Sequence, residues 1–210
     1  MGSTKVEILT NKVKTPKFNK NLGIMANGED NAYPQVNEDA VNGSITAKSC
    51  AELMTSYIVG RGFGDSLNEI IVNKKKGTTL LKLATDIAES IVIHRGFYIH
   101  VNVNLGGAVT SMDVIPFTDG RLGKFDDEKY NNKILVCDDW LDTKKAKKAH
   151  TFDVYNELTD VIEKQIENAG GVDSYKGQVL YFKLGNYSYP LSRIHACFED
   201  TISESKASIY

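Results

Sequence analysis

Four prolines, three cysteines and a single tryptophan are all that these 210 residues hold of those types. So little proline argues against a disordered proline-rich linker, and 41% hydrophobic with 25% charged residues suits a chain that buries a core. Cys50, Cys137 and Cys197 are odd in number and far apart. That spacing excludes a disulfide framework and a CxxC metal knuckle, and it favours a reducing compartment. Neither charge sign dominates: 25 basic against 27 acidic residues leave a net charge of -2. The basic surplus of an isolated nucleic-acid binder is therefore missing, although a local basic patch remains open. No uncharged stretch approaches the ~18 residues that span a bilayer, and the opening MGSTKVEILTNKVK has no apolar signal core.

What is present divides the chain in two. Residues 1–34 are predicted to be an extended arm. Lys5, Lys12, Lys14, Lys17 and Lys20 stand against Glu7, and the turn formers Gly23, Asn27, Gly28 and Asn31 crowd ahead of Pro34. Such an arm is either frayed in solvent or laid on a neighbour. Residues 35–210 are predicted to form one α+β core, in which amphipathic helices pack on a small, mainly antiparallel sheet. A first helix, capped by Ser44, should turn Ala47, Cys50, Ala51, Met54 and Ile58 inward and end at Gly60. A second, from Thr78 or Thr79, buries Leu80, Leu83, Ala84, Ile87, Ala88 and Ile91. Phe97, Ile99, Val101 and Val103 alternate with polar residues, Leu105-Gly106-Gly107 turns the chain, and Val109 to Ile115 returns as the partner strand. Asp119 to Asn132 reads as polar loop, Ile134 to Cys137 as a short strand and Glu157 to Asn168 as a third helix. Val179 to Phe182, apolar on both faces, should be a central strand. Leu191, Ile194, Phe198, Ile202 and Ile209 mark a long terminal helix with Ile202 and Ile209 partly exposed, as in a chain that continues into a longer protein.

No motif for catalysis survives inspection. His94, His100, His150 and His195 lack metal-ligand spacing. The run Gly60-Arg61-Gly62-Phe63-Gly64 follows a helix instead of a strand, so it is a helix end and not a phosphate cradle. Asp126-Asp127-Glu128 and Asp138-Asp139 lack the alternate spacing of a calcium loop, and Lys144, Lys145, Lys147 and Lys148 form a basic run of the solvated kind. No nucleophile elbow is present. Catalytic, cofactor-binding and metal residues are accordingly expected to be absent, and binding residues are not assigned.

One order of elements is distinctive. Gly28-Glu29-Asp30-Asn31-Ala32-Tyr33-Pro34 precedes a small-residue helix that ends in Gly60-Arg61-Gly62-Phe63. Thr79-Leu80-Leu81, Gly96-Phe97, Ile115-Pro116 with Arg121, and Tyr187-Ser188-Tyr189-Pro190 follow in turn. This order resembles the N-terminal part of the portal proteins of tailed bacteriophages, over most of the chain from Gly28 on. The resemblance implies an arm and part of an outer wing, in a non-enzymatic subunit of a ring homo-oligomer, usually a dodecamer, at one capsid vertex. DNA is packaged and ejected through such a ring. Its implied partners are further copies of itself, the major capsid protein, terminase, neck or adaptor proteins and, non-specifically, double-stranded DNA, with no cofactor and no membrane. The implied location is the virion, with assembly in the host cytoplasm. Members of the family are much longer than this chain. Two other readings stay open: a small α+β enzyme or ligand-binding protein using the strand face of Tyr98 and His100, and another phage structural protein such as a head-completion factor.

Overall fold

Alternating apolar and polar side chains from Phe97 onward do form a hairpin in the computed structural model, which describes residues 18–19, 22–104 and 106–207. Among these the strands are β1 (Phe18–Asn19), β2 (Ile24–Met25), β3 (Ile71–Asn73), β4 (Thr78–Thr79), β5 (Gly96–Val103), β6 (Val109–Ile115), β7 (Gly120–Leu122), β8 (Lys133–Val136), β9 (His150–Val154) and β10 (Gln178–Lys183). The helices are α1 (Tyr33–Gly43), α2 (Ile45–Val59), α3 (Asp65–Asn68), α4 (Leu80–His94), α5 (Thr143–Ala146), α6 (Thr159–Asn168) and α7 (Phe198–Ala207). The main sheet runs β6-β5-β10-β9-β8-β7, antiparallel except where β10 meets β9. β10 is central, as its apolar faces require: Leu180 lies opposite Ile99 on one side and Val179 opposite Val154 on the other. The class is α+β.

Both sheet faces carry buried side chains. Tyr98, Phe117, Ile134 and Val179 centre one cluster. Leu135, the next residue of β8, enters another with Ile24, Cys137, Trp140 and Ala146, because successive strand residues point to opposite faces. A third cluster, Val41, Ala51, Val92 and Ile93, ties α1, α2 and α4 together. Capping follows the sequence: the Ser44 hydroxyl accepts from Ala47 N at 3.0 Å, and the Thr79 hydroxyl accepts from Lys82 N at 3.2 Å. α4 stops at left-handed Arg95 (φ 60°), immediately ahead of Gly96.

Several expectations are corrected. Ile24, Ala26, Asn27, Asn31 and Ala32 are buried, and Ile24 bridges to Gly123 beside β7, so residues 22–34 are part of the fold. The expected boundary at residue 34 falls inside α1. Residues 1–17, which hold most of the lysines of the expected arm, lie outside the described residues. α1 escaped the periodicity because its buried side is made of Pro34, Asn37, Ala40 and Val41, small or polar residues that carry little hydrophobic signal. The expected loop from Asp119 contains β7, whose Arg121 is buried. α2 buries only Ala51 fully, leaving Cys50, Met54 and Ile58 exposed. The long terminal helix is instead a 3₁₀ turn, Arg193–Cys197, followed by α7. Ile202 is half-buried, and Ile209 lies outside the described residues.

α7 is docked by Glu204, which accepts from the Ser44 hydroxyl, from the Thr46 hydroxyl at 2.8 Å and from Thr46 N at 3.3 Å. Those hydrogen bonds, the one from Ser44 foremost, hold the Glu204 carboxyl below its usual pKa. A depressed carboxylate contributes stability above its unfolded value, about 4.3, and that stability is lost as pH falls through the folded value. Glu204→Gln is therefore expected to flatten the loss of stability below about pH 4.3, measured as urea midpoints across pH 3 to 7. Identical acid profiles for the two chains would show that the contact contributes nothing. Ser44→Ala removes the cap and one of the three hydrogen bonds to Glu204, and should cost about 1–2 kcal/mol.

Candidate functional site: a buried arginine junction

The turn former run ahead of α1 closes on itself. Asp30 Oδ1 accepts from Ala32 N at 3.1 Å, Asn31 Oδ1 accepts from Asn27 N at 2.9 Å, and Tyr33 N donates to Asn27 O at 3.2 Å. Asn31 adopts the left-handed region (φ 63°), which its short polar side chain tolerates. Gly28 is required on two counts: its φ is 89°, and a Cβ there would lie 2.7 Å from Tyr33 Cβ. Pro34 then stands in the first turn of α1, where its missing N–H costs nothing.

This turn is held by Arg121. Its side chain is fully buried and donates four hydrogen bonds: Nε to Asn31 Oδ1 (2.6 Å), Nη2 to Asn31 O (2.7 Å), and Nη1 to Thr118 O (2.8 Å) and Gly120 O (2.7 Å). All four acceptors are neutral. Burial pulls the Arg121 pKa down, but a guanidinium keeps its proton in proteins. The guanidinium carbon lies 5.4 Å from the centre of the Trp140 ring, and Trp140 Nε1 donates to Asp119 O at 2.8 Å. Burial also raises the Asp119 carboxyl above its ordinary value. Tyr189 closes the other side: its hydroxyl accepts from Leu122 N (2.7 Å) and donates to Met25 O (2.9 Å), and burial pushes its pKa to about 12. Ser192, three residues on, donates its N–H to the Tyr33 hydroxyl (3.2 Å) and its O–H to Ile93 O (2.6 Å). Gly28–Pro34, Pro116–Leu122 and Tyr189–Ser192, far apart in sequence, thus meet at one dry, polar knot. With its guanidinium sealed from solvent, the knot positions segments and has no access for a substrate.

The remaining candidates do not converge. His94 is stacked on Phe117 (4.7 Å between ring centres), with Nε2 3.0 Å from Glu38 Oε1. His100 Nε2 lies 2.6 Å from Lys176 O, and His195 meets Tyr33 edge-on. His150 is an exposed end of β9. Among the described residues no three His, Cys, Asp or Glu side chains are grouped to hold a metal ion. Gly60 ends α2, its N–H bonded to Ser56 O, and Asn68 ties the following loop by accepting from Phe63 N and donating to Arg61 O. Asp127 and Asp139 are turn acceptors, and Asp138 pairs with Lys145 at 3.1 Å. Tyr98 offers no binding face: it is fully buried, stacked on Tyr181 at 4.6 Å and against Phe117 at 5.2 Å. Sequence reasoning missed Trp140 and the burial of Arg121. An arginine between an X-Pro strand end and the chain's lone tryptophan was the available signal.

No protein-family model matches the sequence, and no curated protein does. The fold, by contrast, is shared with solved structures. A chain of the virion of a native gene transfer agent particle superposes with a TM-score of 0.58 over 85% of this chain at 10% identity. A chain of the neck of an empty gene transfer agent particle, computed with C6 symmetry, superposes with a TM-score of 0.54 over 84% at 9% identity. This chain spans 43% and 44% of the length of those two. At that identity the likeness is one of fold: an α+β architecture found also in chains of gene transfer agent particles.

Proposed function

We propose that this chain is a structural subunit of a phage-type particle, and more narrowly the arm-and-wing part of a portal subunit that forms a ring at the capsid vertex through which DNA is packaged and ejected. The observation that carries this reading is the fold likeness to a virion chain over 85% of this chain and to a neck chain over 84%. It is independent of the motif order, yet it points the same way. The Arg121 junction adds support, since three of the six elements in which the sequence resemblance lies, Gly28–Pro34, Pro116 with Arg121, and Tyr189-Pro190, meet there. A polar knot whose guanidinium is sealed from solvent suits a subunit whose work is to hold shape under load. The proposed partners are further copies of the chain, the major capsid protein, terminase, neck proteins and DNA. Contact with DNA, non-specific as in the family it resembles, would be weak for this chain alone, because a net charge of -2 supplies no long-range attraction.

Particles assembled with an epitope-tagged chain test the reading. The tag is expected at a single vertex, in a copy number far below that of the shell protein. A tag spread over the whole shell, or absent from purified particles, overturns it.

A further inference from the structure

Helices α1 and α4 and the end of β6 enclose a cleft of about 350 Å³, the size of a small-molecule site. Three carboxylates line it, Glu38 of α1 and Asp86 and Glu89 of α4, and no lysine or arginine does among the described residues. The buried Ile93 and Phe117 and the half-buried Ile115 give it an apolar floor. Glu89 is exposed and has no partner among the described residues. Asp86 is engaged by Lys82, an exposed pair of the kind that contributes little. His94 is a second and independent pointer to a ligand. Its side chain is 3% exposed and lines the same cleft, and its Nδ1 is buried without a hydrogen-bond partner. Nε2 meets the Glu38 carboxylate at 3.0 Å, and a carboxylate only accepts, so Nε2 carries the N–H. In the neutral ring Nδ1 is then an acceptor that lacks a donor.

Every polar group left over in the cleft is thus an acceptor, and spacing selects the donor. Asp86 and His94 stand eight residues apart on α4, about 12 Å along its axis. A single metal ion cannot bridge that distance, and among the described residues no three His, Cys, Asp or Glu side chains are grouped to hold one. A lone ammonium, such as one lysine side chain, reaches one end of the cleft only. A linear aliphatic polyamine brings several N–H donors with positive charge, joined by methylenes that suit the apolar floor. We infer that this cleft binds such a polyamine, one end at Asp86 and Glu89 and the other at Glu38 and His94. The site stands apart from the Arg121 junction and does not depend on the ring-subunit reading.

Calorimetric titration of the full chain with spermidine, butylamine and Mg²⁺ at one ionic strength tests this. Spermidine should bind once per chain, and butylamine and Mg²⁺ at least tenfold more weakly. Asp86→Asn/Glu89→Gln should weaken spermidine at least tenfold with an unchanged melting temperature, since neither side chain is part of the core. Glu163→Gln/Glu167→Gln removes the same charge from exposed positions on α6 and should leave the affinity as it was. One readout needs no variant: the ring resonances of His94 should move as spermidine saturates, while those of His150, on the exposed end of β9, stay in place. Equal weakening in the two double variants would mean diffuse attraction to an acidic surface and overturns the site. So does Mg²⁺ or butylamine binding as tightly as spermidine, an unmoved His94 ring, or no spermidine binding at all.

Discussion

Replacing Arg121 with alanine is expected to destabilise the fold by about 4 kcal/mol, a large fraction of the roughly 5–15 kcal/mol that keeps a typical domain folded. The substitution deletes four charge-assisted hydrogen bonds and leaves the buried Asn31 O and Gly120 O without this donor, while Thr118 O keeps the Gln35 Nε2 donor at 3.1 Å. A buried acceptor left without a partner costs about 1–3 kcal/mol, and these losses are not additive because the oxygens share one donor group. Arg121→Lys should recover less than half of the loss. An ammonium has the charge but not the planar fork that reaches Asn31 Oδ1, Asn31 O and the Thr118–Gly120 pair at once. Asn31→Ala should give an intermediate effect, since it removes the acceptor of both Arg121 Nε and Asn27 N. Urea denaturation measures all three. A cost below ~1 kcal/mol for Arg121→Ala would mean that the knot is incidental to the fold.

Tyr98→Ala should cost about 4 kcal/mol, because it empties a ring-sized hole among Tyr181, Phe117, Ile134 and Val179. Tyr98→Phe should have the opposite sign. The Tyr98 hydroxyl is buried without a hydrogen-bond partner, and burial pushes its pKa well above the ordinary tyrosine value. Removing an unpaired buried hydroxyl while keeping the ring is expected to stabilise by about 1 kcal/mol. The pair is measured by calorimetry on the same day's preparations. A destabilised Tyr98→Phe chain would mean that the hydroxyl has a partner, such as a buried water, in solution.

α4 and the β5–β6 hairpin were legible in the sequence because their signals are local. Thr79 caps within three residues, Leu83 and Ala88 recur at helical spacing, and strand alternation repeats every second residue from Phe97. The central place of β10 was legible from its two apolar faces, since only a covered strand can bury both. α1 was not legible, because its buried side is Pro34, Asn37, Ala40 and Val41 and its N-terminal residue Ala32 makes no side-chain cap.

α2 shows the limit most clearly. Its apolar stripes were visible, and its cap at Ser44 and end at Gly60 were placed correctly. Which stripe faces the core was not decidable from a helix apolar on most sides. The core took Ala51 and left Met54 and Ile58 outside, because the close approach of α4 and α1 admits a small side chain.

The sequence by itself therefore determined α4, the β5–β6 hairpin, the central β10, the caps at Ser44 and Thr79, the α+β class and the order of motifs that suggested a particle protein. Tertiary structure alone decided what those motifs do. Arg121 can be buried only because Asn31, 90 residues away, and the carbonyls of Thr118 and Gly120 converge on its guanidinium. That convergence is a property of non-local backbone geometry, and residue type and spacing along the chain carry no record of it.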